Sequence, residues 1–133
     1  MLRKEARFFL AICRDNKDTF KEYTVYFVNN SELSIRSIHI VSGGYFTDDD
    51  DLVQLTTTSK SFENIEANRF VPIEYTDDGA FDFTINYEIM VETETQVFEL
   101  SFDIRKYLSG LARSSSIPII NKPGRIAYSY IKE

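Results

Sequence analysis

The chain has no tryptophan, one histidine (His39) and one cysteine (Cys13) among its 133 residues. A single cysteine excludes an intramolecular disulfide framework, so a core must hold the fold. One histidine and one cysteine are too few for a zinc site without help from carboxylates. A nucleophile–base pair would have to join His39 to Cys13 or to a serine, and nothing near either resembles a nucleophile elbow. Gly43-Gly44 is the only adjacent pair among five glycines. No glycine-rich phosphate loop is present. No apolar run approaches 18 residues, which excludes a membrane-spanning helix. Alanine and leucine, the strongest apolar helix formers, total only 14.

What the chain holds instead is β-forming. Ile, Val, Thr, Phe and Tyr account for 50 residues, and such side chains suit a pleated, half-buried surface. Seven segments read as strands: 6–13, 23–28, 33–41, 52–58, 69–76, 80–92 and 97–104. The first places Ala6, Phe8, Leu10 and Ile12 on one face. Gly43-Gly44 closes the third. Val53 and Leu55 are the buried candidates of the fourth. In the fifth, Val71, Ile73 and Tyr75 alternate, and Pro72 marks an edge strand or a bulge. In the sixth, Phe81, Phe83, Ile85, Tyr87, Ile89 and Val91 alternate with Asp82, Thr84, Asn86, Glu88, Met90 and Glu92. That is period two over twelve residues, one face dry and one wet. Phe98, Leu100, Phe102 and Ile104 repeat it. Asp78-Gly79 is a hairpin-turn pair, so residues 69–104 read as a three-stranded meander. Only 61–67 and 104–112 offer short helical stretches.

Seven short strands with regular turn signals predict an all-β chain: a two-layer antiparallel β-sandwich, immunoglobulin-like, with a C-terminal extension. A partly closed barrel is the alternative. The stretch Tyr26-Phe27-Val28-Asn29-Asn30-Ser31, followed by Leu33, Ile35 and Ile38, resembles the strand–turn–strand opening of immunoglobulin-like ear and accessory domains. The resemblance implies a sandwich and no function. Residues 1–108 are expected to form the sandwich. Residues 109–133 are expected to form a flexible link followed by a hairpin on the sandwich or an arm on a neighbour.

Arg3 and Lys4 precede Phe8-Phe9-Leu10-Ala11-Ile12-Cys13, faintly like a lipoprotein signal. The apolar stretch is too short and lacks a small-residue cleavage site. A cytoplasmic location is expected.

Charge is uneven. Residues 1–42 carry a net +2, residues 43–103 a net −13 and residues 104–133 a net +5. A one-signed acidic block disfavours nucleic acid and anionic membranes, which require clustered Lys and Arg. Its functional counterpart is a docking face for a basic partner. Asp48, Asp49, Asp50 and Asp51 form a contiguous acidic run. Four carboxylates suit calcium in type, but contiguous side chains do not converge as spaced ligands do. No cofactor is expected. Tyr45 and Phe46, placed in a loop beside that run, are candidate anchors for a protein partner. The expectation is a non-catalytic protein-interaction module that binds a protein partner or self-associates. One alternative is a structural subunit assembling through its C-terminal arm; another is a calcium-dependent binding domain.

Overall fold

A computed structural model describes residues 2–14, 22–48, 51–54, 57–77, 84–104, 115–121 and 123–132. The described residues are all strand, turn and loop. Ten strands occur in chain order: β1 (Leu2–Arg14), β2 (Glu22–Asn29), β3 (Ile35–Asp48), β4 (Asp51–Gln54), β5 (Thr58–Ile65), β6 (Arg69–Asp77), β7 (Thr84–Thr93), β8 (Val97–Ile104), β9 (Ser115–Ser116) and β10 (Pro123–Lys132). They form two antiparallel sheets. The first runs β6-β2-β1-β10-β9; the second runs β4-β3-β7-β8, with β5 also on β3. This is a two-layer antiparallel β-sandwich.

The main core lies between the layers. Phe8, Leu10, Ile12, Val25, Phe27 and Ile73 of the first sheet meet Ile38, Ile40, Tyr87, Ile89, Leu100 and Phe102 of the second. The alternation along β7 and β8 places these residues inward, as period two requires. A second apolar cluster lies on the other side of the first sheet. Phe9, Ala11, Cys13, Tyr26 and Val28 point away from the main core and are covered by Ile117 and Ile120. Strand β1 is therefore buried on both faces, which is why Phe8 to Cys13 is an unbroken apolar run.

Residues 115–132 belong to this architecture. Strand β10 pairs with β1 along its length, from Leu2↔Lys132 to Cys13↔Gly124, and β9 pairs with β10 at Pro123↔Ser116 and Gly124↔Ser115. At Gly124 an added Cβ would lie 2.6 Å from the Ile12 carbonyl oxygen and 2.8 Å from Ile117 Cδ1. Only glycine permits that approach.

The turn between β9 and β10 is tight. Ile120 N donates to Pro118 O at 2.8 Å and Asn121 N donates to Ile117 O at 2.9 Å. Ile119 has φ 74°, and a β-branched residue there is strained.

The local pattern misplaces several features. Strand β3 does not end at Gly43-Gly44 but continues through them to Asp48, exchanging β5 for β4 as its neighbour. Tyr45 and Phe46 are thus strand residues, not loop residues. Residues 61–65 are strand, because pairing with β3 (Ile38↔Phe62, Ile35↔Ile65) overrides a weak helical reading. Residues 69–104 are not a meander: β6 pairs with β2, while both flanks of β7 are taken by β3 and β8. Pro72 does sit on an edge strand, beside a bulge.

Bulges account for the phase errors. In β1 the register jumps from Glu5↔Ser129 to Phe9↔Tyr128, which takes Ala6 out of the buried phase. Asn30 holds this bulge, donating from its backbone N to Arg7 O at 2.7 Å and from Nδ2 to Ala6 O at 3.3 Å. In β6 the register passes from Val25↔Glu74 to Tyr26↔Pro72. Glu74 is thereby turned toward Tyr87, and Tyr75 is exposed.

Candidate functional site

The two outer faces differ. That of the first sheet is covered over Phe9, Ala11 and Val28 by the segment 117–121. That of the second sheet carries no such cover among the described residues. Its outward positions follow from the alternation: His39 and Val41 on β3, Glu88, Met90 and Glu92 on β7, Glu99, Ser101 and Asp103 on β8. Cross-strand pairing sets Met90 between His39 and Glu99, and Glu88 between Val41 and Ser101.

His39, Val41, Glu88, Met90 and Glu99 border a shallow hollow of about 210 Å³ that lies over the strands at Ile89 and Leu100. Met90 is 46% exposed, so the centre of the acidic face is apolar. The surrounding polar groups are partly fixed. Ser101 Oγ donates to Glu88 Oε1 at 2.9 Å, and Asn86 Nδ2 donates to Asp103 Oδ1 at 2.8 Å. His39 Nδ1 lies 2.9 Å from Ser61 Oγ. The cation of this face among the described ion pairs is Arg36, 3.8 Å from Glu92.

One end of the sandwich is tied by a buried side chain. Asn29 Nδ2 donates to Leu33 O at 2.8 Å and to Glu66 O at 3.0 Å, and its Oδ1 accepts from Ser31 Oγ at 2.5 Å. This joins the β2–β3 loop to the β5–β6 turn. A polar cleft of about 320 Å³ opens beside it, bordered by Arg36, Asn64, Glu66 and Glu94.

Two further polar clusters are structural. Glu5 is 3% exposed and accepts from Arg7 N at 2.9 Å, Nε at 2.7 Å and Nη2 at 2.8 Å. That pairing raises the Arg7 pKa, and the guanidinium stacks 4.8 Å from the Phe98 ring centroid. The buried Tyr87 hydroxyl donates to Glu74. Burial, and then the negative charge of Glu74, push the Tyr87 pKa well above that of an ordinary phenol.

The residues singled out from the sequence lie elsewhere on the second sheet. Tyr45 pairs with Gln54, Phe46 with Val53, and Asp48 with Asp51; Asp49 and Asp50 lie outside the described residues. Four residue steps of strand separate Val41, the nearer lining residue, from Tyr45, roughly 13 Å at about 3.3 Å per residue. The hollow and the Tyr45–Phe46 pair are therefore distinct places along β3. The signal for the hollow was visible, since Met90 is the one large apolar residue on the wet phase of β7. Among the described residues, no three His, Cys, Asp or Glu side chains are grouped to hold a metal ion, and no helix is long and apolar enough to cross a membrane.

Comparisons of this chain with protein-family models, with curated proteins and with solved structures found no match.

Proposed function

We propose that this protein is a non-catalytic protein-interaction module that meets a basic partner through the outer face of its second sheet. One observation carries the reading: the open face combines an exposed methionine with carboxylates of one sign, whereas the centre of the opposite face, over Phe9, Ala11 and Val28, is covered by the chain itself. An apolar centre ringed by charge is the usual anatomy of a protein contact. The carboxylates would speed encounter with a Lys- or Arg-rich surface, and Met90 would supply desolvated contact.

The strand order supports an immunoglobulin-like kinship. Strands β1, β2 and β6 in one layer and β3, β7 and β8 in the other parallel the A-B-E and C-F-G sets of such sandwiches. The solitary, buried Cys13 supports a cytoplasmic location.

The test is affinity capture from native lysate with the wild-type chain and with the Glu88→Lys/Glu99→Lys double variant. The expected result is a partner held by the wild type at low salt, released as salt rises and not captured by the variant. Equal capture by both would overturn the reading.

A further inference from the structure

We propose that the C-terminal segment 115–132 is an exchangeable arm, and that the cradle it fills on one chain receives the same segment from a second copy. Five observations converge on it. The first is the fit. Ile117, Ile120, Ile126 and Tyr128 pack onto Phe9, Ala11, Cys13, Tyr26 and Val28, and Gly124 passes against the Ile12 carbonyl where no side chain is tolerated. A surface that accepts this segment in one chain accepts it from an identical chain with the same contacts.

The second is reach. Residues 105–114 join the end of β8 in the second sheet to β9 in the first. Ten residues extend to at most about 33–36 Å, enough to carry the arm to an adjoining molecule. Because closed and exchanged forms share their contacts, the connecting segment and the chain concentration decide between them.

The third is that the hold on the arm is interrupted. The three-residue bulge Ala6–Phe8 breaks the β1–β10 ladder near its middle. The fourth is strain. Ile119 takes φ 74° where β-branched side chains are disfavoured. Both features lower the cost of opening the arm. The fifth is charge. Residues 115–132 carry a net +3 (Lys122, Arg125 and Lys132) and the rest of the chain a net −9, so an opened arm is drawn to the body of another copy.

The test uses full-length chains and the register itself. Lys4 lies opposite Tyr130, within the reach of a disulfide when both are cysteine. The Lys4→Cys and Tyr130→Cys single variants are mixed, concentrated, incubated and oxidised. The double variant is oxidised in parallel, with wild-type protein as the control for Cys13. The expected result is a covalent Lys4→Cys–Tyr130→Cys dimer of twice the 15.5 kDa chain mass, together with a light-scattering mass for the wild type that rises with concentration. If the double variant closes within one chain while the mixed singles stay uncrosslinked and the mass stays monomeric, exchange is overturned. If no sample crosslinks, the β1–β10 register fails and the proposal fails with it.

Discussion

Substituting Gly124 by alanine should cost the protein stability, although alanine normally helps. Replacing glycine with alanine at a permissive strand position restricts the unfolded chain and stabilises by about 0.4–1 kcal/mol. Gly124 is not permissive, and not because of its backbone, since no glycine has positive φ among the described residues. The obstacle is space. A Cβ at Gly124 would lie 2.6 Å from the Ile12 carbonyl oxygen, 2.8 Å from Ile117 Cδ1 and 3.0 Å from Cys13 Sγ. The nearest atom is backbone of β1, a central strand held by β2 on one side and β10 on the other. It cannot yield without moving the sheet. Overpacking of this kind costs about 1–3 kcal/mol, and the rigidity of the neighbour places this case toward the upper end. After the entropic gain is subtracted, about 2 kcal/mol of loss remains. For a chain of this size that lowers Tm by roughly 6–8 °C. Gly43→Ala is the internal control, because the nearest atom to its Cβ is Thr57 Oγ1 at 3.4 Å, an ordinary contact. Thermal melts of the two variants and the wild type decide the matter. A Gly124→Ala melt at or above the wild-type temperature, or equal losses in both variants, would refute the packing of β10 against β1 and the 117–121 segment.

Three other perturbations follow from the polar groups. Asn29→Asp replaces an amide donor, buried against the Leu33 and Glu66 carbonyls, with a carboxylate. Urea titration should show a loss of about 3 kcal/mol or more, and a neutral outcome would mean that the β2–β3 loop is not tied there. Tyr87→Phe should cost about 1–2 kcal/mol near neutral pH by removing the donor to Glu74. Because the Tyr87 pKa is raised in the fold, its contribution is full below the unfolded phenol's pKa of about 10 and declines above it by about 1.4 kcal/mol per pH unit. The gap between wild type and variant should therefore narrow between pH 9 and pH 11 (roughly one unit either side of that pKa); a constant gap would contradict the burial of the hydroxyl. Glu5→Gln keeps the shape but removes the charge facing Arg7, and should lower stability by about 1–2 kcal/mol in a denaturant titration, discounted because the Arg7 side chain is 43% exposed.

The sandwich was legible where pattern alone decides. Strict alternation from Ile85 to Val91 fixed the inward face of β7, and its repeat fixed that of β8; Phe81 and Phe83 lie outside the described residues. Pro72 marked the edge, whereas residues 6–13, read as a strand with one buried face, are covered on both sides from Phe8 to Cys13. Three things were not local. Which sheet takes β6 depends on β3 and β8 already occupying both flanks of β7, and alternation cannot say so. The phase slips at Ala6 and Tyr75 come from bulges, three residues at Ala6–Phe8 and one at Ile73, that no periodicity announces. The passage of β3 through Gly43-Gly44 reverses the usual meaning of paired glycines, because β4 and β5 share one flank of the same strand. As for the candidate site, the acidic phase of β7 and β8 was visible. The convergence of Val41, Met90 and Glu99 was not, because it requires the register between three strands.

The account rests on residues 117–128 being an integral cover of the first sheet, since that cover is what leaves the second sheet's face as the open one. Amide hydrogen exchange of the native full-length chain tests it most directly. Residues 124–128 should exchange orders of magnitude more slowly than free backbone, though ahead of Leu10–Cys13 and Val25–Val28, because the arm opens before the sheet unfolds globally. Exchange across 124–128 at the rate of free backbone would contradict the account.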